Sequence, residues 1–225
     1  MAVVLRKPGD SLPEGAVMMT EDQALRYQLN IVSNWPNFSE VFALKAGPGI
    51  IGGTAMVSAL LLNNHFRYKL KLGAYGRGST YLAVVAAPVA ISALFHSAFI
   101  QSSIYLRNYD CPLCLQTRAA MFQVGTGLLY PLLLAPVASF MFATRHFTYR
   151  LPSITENPKE IFKLFLKFTK SGGKLALVLF GANTFVAMTV TARAISEHAN
   201  ISHQLREHER RIEAGLTTDL DVFGK

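Results

Sequence analysis

Cysteine occurs twice in this chain of 225 residues, as Cys111 and Cys114 with Pro112 and Leu113 between them. Two thiols at this spacing can close a local disulfide, supply half of a zinc site, or act as a redox pair with an activated first thiol. They cannot form the framework of a disulfide-stapled domain. Membrane thiol oxidases need a second dithiol to take electrons from the substrate, and the chain has no third cysteine. A static Cys111–Cys114 disulfide is therefore favoured over catalysis, with both other readings kept open. A Cys2His2 zinc site would draw two ligands from His198, His203 and His208, which recur at five-residue steps. Such steps turn about 140° around a helix, so neighbouring histidines do not share a face. The reading is that no metal is bound. His96 and Asn183 lie in apolar stretches and are read as a packing histidine and an interhelical hydrogen-bonding residue. No glycine-rich phosphate loop, paired carboxylate or Ser/His/Asp set stands out, so neither an enzyme nor a cofactor is expected.

The elements that hold these residues are written in the charge pattern. Apolar residues make up 51% and charged residues 16%, against roughly 25% charged in an average soluble domain. Mean hydropathy is +0.27. Charges crowd into links between long apolar runs at about 44–62, 80–100, 119–144 and 175–192. Each run has about the length needed to cross a bilayer. The fold class is accordingly all-α, a polytopic membrane protein with four transmembrane helices, an amphipathic interfacial helix and a C-terminal polar helix. Its expected parts are a polar segment over 1–43, a four-helix bundle over 44–192, and a helix and tail over 193–225. The net charge of +8 sits at membrane ends and sets orientation. It does not form the basic face with aromatic readers that nucleic-acid binding requires.

Thr20 and Gln23 fit a capping box, followed by a short helix with Leu25, Leu29 and Val32 on one face. Trp35-Pro36 ends that helix, with Trp35 suited to a membrane interface. In the first span Gly49 and Gly53, and Ala55 and Ala59, repeat at four-residue spacing, which lets another helix approach closely. Pro88, Tyr130-Pro131 and Pro136 predict irregular helix. Residues 158–170 read as an amphipathic helix. Lys159, Lys163, Lys167 and Lys170 share one face and Ile161, Phe162, Phe165 and Phe168 lie largely opposite, an arrangement that rests in the lipid headgroup layer. A polar helix over about 194–214, closed by Gly215, carries a thin stripe of Ile195, Ala199, Leu205 and Ile212 suited to a partner.

With four spans, the links 63–79 and 145–174 share a side and carry 4 + 7 = 11 Lys and Arg. The 101–118 link, on the other side, carries two, Arg107 and Arg118. The basic links are then expected in the cytosol or matrix, and the cysteine pair and both termini opposite, in a compartment that permits a disulfide. The polar, acidic head before the first apolar run does not read as a secretory signal, and a mitochondrial location calls for an internal import signal. Asn37-Phe-Ser39 and Asn200-Ile-Ser202 match glycosylation sequons, which matter only in a secretory compartment.

The run DCPLC-x-x-TR, then GLLYP and LAPV, resembles the transmembrane protein 126 family of the mitochondrial inner membrane. The matching positions are Asp110, Cys111, Cys114, Thr117, Arg118, Gly127, Leu129, Tyr130, Pro131, Ala135, Pro136 and Val137. The basic HFRYKL after the first span and the proline-bearing second span are similar too, so the likeness is carried by about residues 45–145. It implies a multi-pass inner-membrane assembly factor of respiratory complex I. The expected partners are membrane-arm subunits, other assembly factors and an acidic lipid such as cardiolipin. It also implies that the cysteine loop and both termini face the intermembrane space and the basic links the matrix. The competing expectation is a membrane thiol–disulfide oxidoreductase using Cys111 and Cys114.

Overall fold

The computed structural model describes residues 19–149 and 158–214, which are helix and loop with no strand. The head before residue 19, the tail from Gly215 with its expected cap, and the side chains of Ile161 and Phe162 lie outside the described residues. Helix α1, Glu21–Ser33, starts at the expected capping box. The Gln23 backbone N–H donates to Thr20 Oγ1 at 3.4 Å, and Thr20 N–H donates to Gln23 Oε1 at 3.1 Å. Its buried face is Ala24, Gln28, Ile31 and Val32, whereas Leu29 is exposed. The helix packs against the turn Ser102–Tyr105, and that neighbour fixes its rotation where leucine spacing alone does not.

Among the described residues, four helices are long and apolar enough to cross a membrane: α2, Phe42–Lys69; α3, Arg77–Tyr105; α4, Pro112–His146; and α6, Gly173–Glu213. Helix α5, Pro158–Ser171, lies between the last two in sequence. The fourth span and the polar C-terminal helix form one helix, because no Gly or Pro interrupts residues 182–213. Its buried positions beyond Val190 are Thr191, Ala194, Glu197, His198, Ile201 and Ser202, at helical spacing. Ile195, Leu205 and Ile212 are only half-buried and Ala199 is exposed. The expected apolar stripe is thus displaced by one that is partly polar.

Proline shapes α3 and α4. Its ring lacks an N–H and crowds the carbonyl four residues earlier. Wide π turns at Leu82–Ala86 and Gly125–Leu129 end just before Ala87-Pro88 and Tyr130-Pro131, and accommodate that crowding. Among the described residues, three helices end on a left-handed residue other than glycine. Lys71, Arg107 and Phe147 take left-handed φ of 51°, 53° and 51°. The next N–H reaches back to Arg67, Ser103 and Ala143 at 3.1, 2.9 and 3.2 Å, the long bond of a Schellman ending.

The chain forms two compact units. The first draws on 1–47, 97–116 and 189–225, and the second on 48–96 and 117–188. In the second unit α3 and α6 run antiparallel to α2, and α4 runs parallel to it. Arg67 Nη1 donates to Thr80, Asn183 to Ser58, and Gln123 to the Ile51 carbonyl, while Thr148 bonds the Leu70 carbonyl. This up-and-down order brings the loop after α2 and the loop after α4 to one end. There Phe66, Leu70, Leu72, Phe140, Ala143 and Phe168 form a core.

Candidate functional site

In the first unit, Arg107 turns the chain out of α3 and Cys111 becomes the N-cap of α4. Pro112 follows, favoured at a first helical position because that N–H would have no helical partner. Cys114 N–H donates to Cys111 Sγ at 3.3 Å, the bond a Ser or Thr cap would accept. Hydrogen bonds from Cys114, through its thiol and its backbone N–H, hold the Cys111 thiol below its ordinary pKa. Cys114 is exposed, Cys111 half-buried, and both are free thiols. The expected disulfide is therefore not formed in this structure, where the Cys111 sulfur serves as a helix cap. The chemistry such a pair supports is thiolate attack from Cys111 with Cys114 as resolving thiol.

Glu197 was not singled out from sequence, yet it organises the rest of the first unit. Its carboxylate is buried and accepts the N–H groups of Ala43 and Leu44 at 2.8 and 3.1 Å. It thereby caps the start of α2 from α6, where the helix dipole favours negative charge. Arg193 Nε reaches the other oxygen at 3.1 Å and its guanidinium lies 5.3 Å from the Phe42 ring centroid. Gln101 Nε2 donates to the Leu44 carbonyl at 2.8 Å. The available signal was Arg193 four residues before Glu197, an ordinary helix ion pair that does not announce a cap supplied across 154 residues of chain.

Beside it Glu40 accepts from Trp35 Nε1 at 2.9 Å and Asn37 Nδ2 at 2.8 Å. These donors, Trp35 foremost, hold its carboxyl below the usual range. Trp35 is buried. An open cleft of about 440 Å³ is lined by Glu40, Arg193, Glu197, Asn200, His203 and Gln204. His198 packs edge-on against Tyr105 at 6.0 Å, and among the described residues no group of three metal-binding side chains forms.

In the second unit some polar residues of the spans turn inward and pair, while the side chains of Asn63 and Ser139 and His96 Nε2 are buried without a hydrogen-bond partner. Asn183 Nδ2 donates to Ser58 Oγ at 2.7 Å and to the Leu179 carbonyl at 2.8 Å. Gln123 Nε2 donates to Asn183 Oδ1 at 2.9 Å and to the Ile51 carbonyl at 3.1 Å. Ser92 and Thr126 hydroxyls meet at 2.7 Å. The outer faces are apolar, with Leu82, Leu94, Met121, Leu133, Leu177 and Phe185 exposed. Polar inside and apolar outside is what a bilayer solvent selects. Ala55 and Ala59 are buried, but Gly49 and Gly53 face open space. The close approach occurs at Gly52, where a Cβ would meet Val89 at 3.4 Å. Arg67, read in the sequence as one of the orienting cations, is instead buried. It donates to Thr80 Oγ1 at 2.9 Å and to the Gly73 and Tyr75 carbonyls at 2.8 and 3.0 Å, folding the loop after α2.

Residues 29–209 match the family model described as transmembrane protein 126. The chain belongs to the transmembrane protein 126 family. It is 44% identical over 214 residues to Transmembrane protein 126 of Drosophila melanogaster, covering 95% of this chain and 96% of the fly protein. It is 28% identical over 109 residues to Transmembrane protein 126A of Rattus norvegicus, covering 48% of this chain and 55% of the rat protein. No solved structure is significantly similar. The protein is thus a multi-pass membrane protein with four candidate spans.

The motif residues of this transmembrane protein 126 family member are divided between the two units. Asp110 is exposed in the first unit beside the thiols. In the second unit Thr117 and Arg118 are exposed, the Arg118 guanidinium lying 5.9 Å from the Phe122 ring centroid. Tyr130 donates to the Ala83 carbonyl at 3.4 Å, and Pro131 and Pro136 are buried. On α5, Lys159, Lys163, Lys167 and Lys170 are all exposed.

Proposed function

We propose that this protein is a mitochondrial inner-membrane assembly factor that holds partly built membrane-arm intermediates of respiratory complex I. Membership of a family linked to that process supports the process. The observation that carries the mode of action is the apolar outer surface of the spans around an interior that holds the Ser58–Asn183–Gln123 hydrogen bonds. Such helices offer contact area to other membrane helices. In this reading membrane-arm subunits and other assembly factors are the partners, the cysteine loop and both termini face the intermembrane space, and the basic links face the matrix. Deleting the gene and resolving mitochondrial membranes on native gels tests it. Loss of assembled complex I, with this protein co-migrating with subcomplexes in the parent strain, is expected. Unchanged complex I would overturn the proposal.

A second reading is favoured by the Cys111 thiol, lowered and accessible at a helix start. In thiol–disulfide exchange, Cys111 thiolate attacks a partner's disulfide and Cys114 resolves the mixed disulfide. The two thiols lose two protons and two electrons, and the partner's disulfide is reduced to two thiols. Cys114→Ser should then trap a mixed disulfide, and Cys111→Ser should not. An unaltered phenotype in the Cys111→Ser/Cys114→Ser double variant removes this reading.

A further inference from the structure

The end of the second unit where the two loops meet carries exposed cations on several elements. Lys71, Arg77, Arg145, Lys163, Lys167, Lys170 and Lys174 are exposed. Residues 63–79 contain no acid, and residues 145–174 contain only Glu156 and Glu160. A free amphipathic helix binds membranes by sinking its apolar face. Helix α5 has already committed the described part of that face to the protein. Phe168 is buried in the core, 6.3 Å from the Phe140 ring and 6.2 Å from Tyr149. Leu164 and Phe165 pack against the same core. The chain then turns at Gly172, where a Cβ would meet the His65 ring at 3.1 Å, and His65 Nε2 lies 3.3 Å from the Phe168 carbonyl oxygen. The helix is therefore fixed against the ends of α2 and α4 with its lysines outward. Lys159 and Lys170 are eleven residue steps apart, about 16 Å of helix.

We propose that this lysine face is a docking site for acidic phospholipid headgroups of the bilayer in which the protein sits. Charge complementarity selects the occupant. Several cations at one end of an apolar helix assembly lie at headgroup level, where each Lys or Arg gains from anionic lipid. Since Leu164, Phe165 and Phe168 of α5 are already packed on the protein, recognition by the lysine face is electrostatic and fades with salt. The site fastens the link between α4 and α6 to the membrane surface. It does not depend on the complex I reading, since lipid binding is measured on the protein alone.

The test is native mass spectrometry of the detergent-purified full chain with added phosphatidylglycerol, cardiolipin or phosphatidylcholine, at low and high salt. Wild-type protein should retain the two acidic lipids in preference to phosphatidylcholine. The Lys159→Gln/Lys163→Gln/Lys167→Gln/Lys170→Gln variant should bind them about tenfold or more weakly at low salt, with the gap narrowing at high salt. The corresponding Lys→Arg variant should bind like wild type, which separates lost charge from lost fold. Equal retention of phosphatidylcholine and acidic lipids, or undiminished binding by the Gln variant, overturns the proposal. So does a Gln variant that keeps its lipids but loses a co-purifying acidic protein, which would assign the face to that protein.

Discussion

Gly127 lies so close to Asn183 that a Cβ on the glycine would stand 2.6 Å from Asn183 Oδ1. The same Cβ would stand 3.2 Å from Gln123 Nε2, so the glycine leaves room for the Gln123–Asn183 hydrogen bond. Gly127→Ala should push α4 away from α6 and lower stability by about 1–3 kcal/mol. Asn183→Ala should cost about 1–2 kcal/mol, since Ser58 and Gln123 lose a partner in a medium without water. The double variant should cost less than the sum, because the clash needs both groups. Thermal melting in detergent reads all three. Fully additive losses would mean that the two residues do not share one packing constraint.

Glu197 separates a cap from an ion pair. Glu197→Ala removes the acceptor of the Ala43 and Leu44 N–H groups and should destabilise by about 1–2 kcal/mol. Arg193→Ala removes a partner that is 59% exposed, a contact worth about 0–1 kcal/mol, together with its approach to the Phe42 ring, and leaves the Ala43 and Leu44 N–H groups capped. The expected order of melting temperatures is wild type, then Arg193→Ala, then Glu197→Ala. If both variants melted together, the ion pair would account for the role of Glu197.

Glu40 gives a pH dependence with a defined sign. Hydrogen bonds from Trp35 and Asn37 favour its ionised form, so its folded pKa lies below the usual one. Stability from this group is present above the unfolded carboxylate pKa of about 4.3 and is lost as pH falls through the folded value. Trp35 is the sole tryptophan, so its fluorescence reports the contact directly. Emission should shift as acid breaks the Trp35–Glu40 bond, and Glu40→Gln should remove that step. An identical acid transition in Glu40→Gln would show that another group drives it.

What was legible in the sequence follows from range. The Thr20–Gln23 capping box is a local bond between neighbours, and the structure forms it as read. The spans follow from apolar length, and Asn183 in an apolar run had few options other than bonding a neighbouring helix. Glu197 and Arg67 were missed because their partners are set by tertiary contact. Glu197 resembles any helix-surface acid until α2 is seen to begin beside it, and Arg67 resembles any basic-loop cation until the loop folds over it. Gly52 was passed over for Gly49 and Gly53 because four-residue spacing does not say which face meets a neighbour. The joining of the fourth span to the C-terminal helix hides behind a change of polarity, whereas helices end at backbone breakers and caps.

Helix α4 ends at Phe147, a bulky residue held at φ 51° with its side chain 92% exposed in the isolated chain. A left-handed conformation costs an L-residue about 1–2 kcal/mol, and glycine occupies such endings freely. Phe147→Gly should therefore raise stability in detergent by about 0.5–1 kcal/mol after its own backbone entropy is counted. Phe147→Ala should give no such gain, because alanine keeps the strained φ and loses only an exposed ring. In a bilayer the comparison gains a second term. An exposed aromatic at a span end beside Arg145 and His146 is placed to anchor at the interface, so the benefit of glycine should shrink in nanodiscs while Phe147→Ala turns destabilising. The same stabilisation by glycine in both media would leave backbone strain as the whole effect and remove any anchoring role for the ring.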